Sequence, residues 1–91
     1  MTTAKITRLL NTAGKNFFIF HIEDIMECFE RMEKDTEYKT WKIAEYYKAQ
    51  NGFKSKDEYG VRVRVNAVLQ IIRANAVKDA LEMINGQDFA S

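Results

Sequence analysis

Apolar residues recur at helical spacing along most of this chain. Phe18, Ile22, Ile25, Met26, Phe29 and Met32 lie mainly three or four residues apart, with acidic residues between them. That period predicts a long amphipathic helix to about Lys34, with Asn16 as its N-cap. The run Phe17–Ile22 alone would also suit a buried strand, but the later positions extend the helical period. Upstream, Thr3 to Asn11 reads as a short helix with Ile6, Leu9 and Leu10 inward, and Asn11 to Gly14 reads as a break. Downstream, Asp35 or Thr36 can cap a helix reaching about Gln50. Its inner face is Ile43, Ala44 and Tyr47, with Trp41 and Tyr46 on the flanks. Asn51-Gly52 is a stop signal, because both residues tolerate the left-handed backbone that ends helices. Ser55-Lys56-Asp57-Glu58 has the form of a capping box, which marks the start of another helix.

The stretch Val61-Arg62-Val63-Arg64-Val65 supports two readings. Its alternation is a strand signature, and a strand there would suit the ribbon of a ribbon-helix-helix dimer. Its longer context, Val61, Val65, Val68, Leu69 and Ile72, keeps the helical period, and no turn signal follows. Helix is the preferred reading. The pattern continues through Ala76, Ala80, Leu81 and Ile84, with Asn75 as N-cap of a separate last helix and Gly86 as its end. Residues 87–91 read as a loose tail. The expected fold is all-α: a compact bundle of four to five helices forming one domain over residues 1–86.

Composition adds limits. With 46% apolar and 30% charged residues the chain has the balance of a folding domain, and the absence of proline suits helices. A single cysteine, Cys28, allows no internal disulfide. No apolar run is long enough to span a membrane, and the first residues lack a secretory h-region, so a soluble cytoplasmic protein is expected. The net charge of +1 conceals segregation. The segment from His21 to Glu37 carries seven acidic residues against Arg31 and Lys34. The segment from Lys39 to Arg73 carries eight basic residues against Glu45, Asp57 and Glu58. The basic half is the one that would meet a polyanion.

On the helical reading, Arg62, Asn66, Gln70 and Arg73 stack along one face. All four side chains can read base edges: arginine pairs with guanine, and asparagine or glutamine with adenine. The segment from Glu37 to Arg73 resembles the helix-turn-helix of DNA-binding domains, over 37 of the 91 residues. The resemblance lies in architecture, an amphipathic helix followed by one that would enter the major groove. The connection, Asn51 to Lys54 plus the Ser55 cap, is slightly longer than the usual three or four residues. The resemblance implies that residues 56–73 form a recognition helix. Lys48, Lys54 and Lys56 would then neutralise phosphates, and Tyr59 would touch the backbone or stack. Arg64 points elsewhere on the wheel.

Other constellations carry less. His21 and Asp24 are two of the three or four ligands that zinc requires, and Cys28 suits a buried small hydrophobe. No phosphate loop or nucleophile elbow occurs, and neither a metal, a cofactor nor an enzymatic activity is expected. The functional expectation is a small DNA-binding protein, a transcription regulator or a phage- or plasmid-type accessory factor, acting on double-stranded DNA as a homodimer. The alternative is a small helical protein-interaction module, inhibitor- or antitoxin-like, without nucleic-acid binding. Its partner would meet the acidic helix Glu23–Glu37 or the flank formed by Tyr38 and Trp41.

Overall fold

The computed structural model describes residues 1–34, 42–45 and 58–86. Every regular element among them is helical: α1 (Thr3–Ala13), α2 (Lys15–Lys34), the helical residues 42–45 (α3), α4 (Glu58–Arg73) and α5 (Val77–Gly86). The radius of gyration, 12.9 Å, is close to the roughly 12 Å of a folded chain this long. The all-α expectation therefore holds, and Val61–Val65 is helix, not ribbon. The expected stop at Asn51-Gly52, the cap at Ser55, the residues flanking α3 and the tail at 87–91 lie outside the described residues.

The start of α1 is fixed by Thr2, whose hydroxyl accepts from the Lys5 amide at 3.2 Å and whose carbonyl accepts from the Ile6 amide at 3.0 Å. Ile6, Leu9, Leu10 and Ala13 are buried, so the helix runs one half-turn beyond the expected end at Asn11. The break is one residue wide. Gly14 has φ +89° and ψ 129°, a conformation that essentially only glycine adopts. Its amide donates to the Leu10 carbonyl, and its carbonyl accepts from the Phe18 amide. One glycine thus closes α1 and opens α2, which begins at Lys15. Asn16 is an exposed residue inside α2, not its N-cap.

Phe17, Phe18, Ile22, Ile25 and Cys28 form the buried face of α2, with Phe29 and Met32 partly buried beside them. Met26, expected inward, is 37% exposed. Cys28 is a buried small hydrophobe, as its position implied. His21 is half-buried, with its ring 4.7 Å from that of Phe17. Burial lowers its pKa below the ordinary 6.5, while the Asp24 carboxylate acts in the opposite direction. The unfolded chain therefore takes up this proton more readily than the folded one. The His21 contribution to stability is complete above about pH 6.5 and is lost as pH falls below it. Urea midpoints measured across that range should drop on acidification, and His21→Gln should flatten the upper part of the drop.

Helix α4 occupies the middle of the fold and packs against α1, α2 and α5. Val61, Val65, Val68 and Leu69 are fully buried, as their spacing implied. Ile71, off that stripe, is also fully buried, whereas Ile72 is only partly so. Burial of each such side chain stabilises the fold by about 1.5–3 kcal/mol. In α3, Ile43 and Ala44 are fully buried, the inner face their periodicity assigned.

The turn after α4 corrects one assignment. Asn75 has φ +55°, and its amide bonds to the Ile72 carbonyl while the Ala76 amide bonds to that of Ile71. This paired arrangement is a Schellman motif, with Asn75 as the left-handed residue that ends α4. Its usual apolar contact is available between two buried residues, Ile71 and Ala76. Asn75 does not cap α5; the Ala76 carbonyl accepts its first bond, from the Ala80 amide. Asparagine tolerates positive φ better than other non-glycine residues. Asn75→Gly should be neutral or slightly stabilising, and Asn75→Val should cost about 1–2 kcal/mol in chemical denaturation.

Candidate nucleic-acid interface

Because α4 is enclosed by its neighbours, little of it reaches solvent. At about 100° per residue, Arg62, Asn66, Gln70 and Arg73 fall within an arc of about 80°. Arg62, Asn66 and Arg73 are exposed and Gln70 is half-buried. Beside them Val63 is half-buried, and the apolar residues across the wheel are in the core. The four proposed reading residues are thus brought together as one polar strip on a buried helix. Lys48, Lys54 and Lys56 lie outside the described residues, as does the side chain of Tyr59.

The other arginine of the segment does something different. Arg64 Nη1 donates to the Ala13 carbonyl at 2.8 Å, and its guanidinium lies 6.0 Å from the centre of the Phe17 ring. The last carbonyls of α1 have no partner within the helix, and the dipole there favours a cation. Arg64 supplies both the donor and the charge, tying α4 to the α1–α2 corner. An ideal Cβ on Gly14 would stand 2.8 Å from Arg64 Nη1, so the absent side chain makes room for this bond. The alternation Arg62–Arg64 therefore separates two jobs: Arg62 faces out and Arg64 holds the fold.

The Arg73 end of the strip abuts α2. There the Arg73 guanidinium sits 5.9 Å from the centre of the Phe29 ring of α2. Phe29 is flanked on α2 by Glu30 and Glu33, which line a groove with Ile72 and Asn75. A phosphate approaching Arg73 would meet those carboxylates.

On the acidic helix, the exposure of two large apolar residues was not anticipated from the sequence. On α2, Phe20 is 77% exposed and Ile19 47% exposed. They share the outer face of the helix with Glu23, Asp24, Glu27 and Glu30. The signal was present in the density of the run Phe17-Phe18-Ile19-Phe20-His21-Ile22. One side of a helix cannot bury six consecutive residues, so two must project.

Among the described residues no cluster of His, Cys, Asp and Glu could hold a metal ion, and no helix is long and apolar enough to cross a membrane. No protein-family model matches this chain, and no curated protein or solved structure matches it.

Proposed function

We propose that the chain is a small DNA-binding protein, a regulator or a phage- or plasmid-type accessory factor, that places α4 against the major groove of duplex DNA. The observation that carries this reading is the polar strip. On a helix otherwise enclosed, the side chains left in solvent include Arg62, Asn66 and Arg73, whose chemistry suits base edges or phosphates. Arg62 and Asn66 read bases, Gln70 adds a contact from the rim, and Arg73 takes a phosphate or stays on Phe29. One such helix spans few base pairs, so a homodimer on two half-sites fits the reading.

Binding of a labelled mixed-sequence duplex, followed by anisotropy at rising salt, tests it. Affinity should fall steeply with salt, and Arg62→Ala should weaken it about tenfold. Asn66→Ala should relax sequence preference more than it lowers non-specific affinity. No detectable binding near 50 mM salt would overturn the reading.

The exposure of Phe20 favours a second reading, a protein-interaction module that uses the acidic outer face of α2. An exposed phenylalanine among carboxylates suits an anchor for a partner with an apolar pocket and a basic rim. A native partner should then be retained by the wild-type chain and lost on Phe20→Asp or on reversal of Glu23 and Glu27. A chain that stays free in its native extract contradicts it.

A further inference from the structure

A groove of about 550 Å³ runs between the second half of α2 and the α4–α5 junction. Its apolar wall is Met26, Phe29, Ile72 and Val77, each of which keeps some exposure to solvent. Glu30, Glu33 and Asp79 line it as well, with Lys78 the one cation among the described residues that line it. The groove thus joins wet apolar surface to an excess of negative charge. Phe29 already accepts a cation, the Arg73 guanidinium 5.9 Å from its ring centre.

We infer that this groove binds a basic amphipathic helix of a protein partner, with apolar side chains against Met26, Phe29, Ile72 and Val77 and lysine or arginine against Glu30, Glu33 and Asp79. The inference rests on the protein-interaction reading and gives it a second site and a partner chemistry. Three features select that occupant. The carboxylates exclude nucleic acid and any other polyanion. They also disfavour a second copy of this chain docking through the outer face of α2, which would set Glu30 and Glu33 against Glu23 and Glu27. The wall from Met26 to Glu33 rises about 10 Å along α2, two helical turns, which matches helix-in-groove docking through anchors at i, i+3 or i+4 and i+7.

The probe is a fluorescent synthetic amphipathic helix of leucine and lysine, about four turns long, compared with its leucine–glutamate counterpart. The lysine peptide should bind saturably and the glutamate peptide should not. Glu30→Lys combined with Glu33→Lys should weaken binding about tenfold, since two rim charges are reversed. Met26→Ser should weaken it about fivefold by removing apolar contact. Asp24→Lys, at an exposed position about 140–180° around α2 from Met26, Phe29 and Glu33, should change it less than about twofold. All of these positions are at the surface, and helical circular dichroism confirms that each variant folds. Equal losses in Asp24→Lys and in the rim variant would show that binding follows net charge, and would overturn the inference. So would indifference to Met26→Ser. Binding that survives the groove variants but is lost on Phe20→Asp would overturn the groove while leaving the protein-interaction reading in place. Sedimentation of the chain alone should give a monomer or a dimer that the rim variant leaves intact. A dimer that the rim variant dissociates would make a second copy the occupant and overturn the foreign partner.

Discussion

Gly14→Ala should lower the unfolding free energy by about 2–4 kcal/mol. The first contribution is backbone strain: φ +89° with ψ 129° is open to glycine and costs other residues about 1–3 kcal/mol. The second is the Arg64 bond. A methyl group 2.8 Å from Nη1 displaces the guanidinium, and the Ala13 carbonyl loses a charged donor. Hydrogen bonds to charged groups contribute about 1.5–3 kcal/mol, less here because water can replace the donor at a half-exposed corner. Against a total stability of about 5–15 kcal/mol, the loss is readily measured by urea denaturation. A double-mutant cycle separates the two parts. In an Arg64→Ala background, Gly14→Ala should cost about 1 kcal/mol less, the part that belongs to the displaced bond. Additive losses would mean that the corner and α4 are independent.

Phe18→Ala should cost about 3–5 kcal/mol, whereas Phe20→Ala, two positions away, should change stability by less than about 0.5 kcal/mol. Phe18 is fully buried in the core; Phe20 is 77% exposed. The first substitution leaves a cavity in the core, and the second removes a ring that already stands in water. Thermal or urea unfolding of the pair tests the rotation of α2 about its axis. Similar losses for both would show that Phe20 is covered and would remove the outer face as a contact surface.

Much of this fold is legible in the chain because helical period dominates it. Ile6, Leu9 and Leu10, then Phe18, Ile22 and Ile25, then Val61, Val65, Val68 and Leu69, are spaced for one helix face and are buried as that spacing requires. The period-two alternation at Val61–Val65 is ambiguous only within five residues. As a helix it buries Val61 and Val65, aims Arg64 at the α1 terminus and leaves Arg62 outside. Burial between three neighbouring helices outweighs the weak strand preference of valine.

What was not legible depends on three-dimensional neighbours. Ile71 lies off the apolar stripe, yet it is buried because α4 is covered from more than one side. A second stripe, Gly60, Arg64, Ala67 and Ile71, marks that extra face, but an arginine in it disguises the pattern. Asn75 carries equal local signals for starting a helix and for ending one. The hydrogen bonds across Ile71, Ile72 and Ala76 decide for ending. That Arg62, Asn66, Gln70 and Arg73 share one helix face follows from spacing alone. The closeness of Arg73 to Phe29 and the acidic groove needed the packing of α2 against α4.

The polar strip and the acidic face of α2 give the molecule two surfaces of opposite character. DNA contact at Arg62 and Asn66, as proposed, would leave the Phe20 face exposed.

The central claim is that the strip on α4 meets duplex DNA. An amide-resolved NMR titration of the isotope-labelled chain with a mixed-sequence duplex at low salt tests it most directly. The account predicts the largest shifts along Arg62, Asn66 and Gln70, with α2 from Glu23 to Glu33 little changed and the shifts reversed by added salt. Shifts confined to α2, or a spectrum unchanged by DNA, would contradict it.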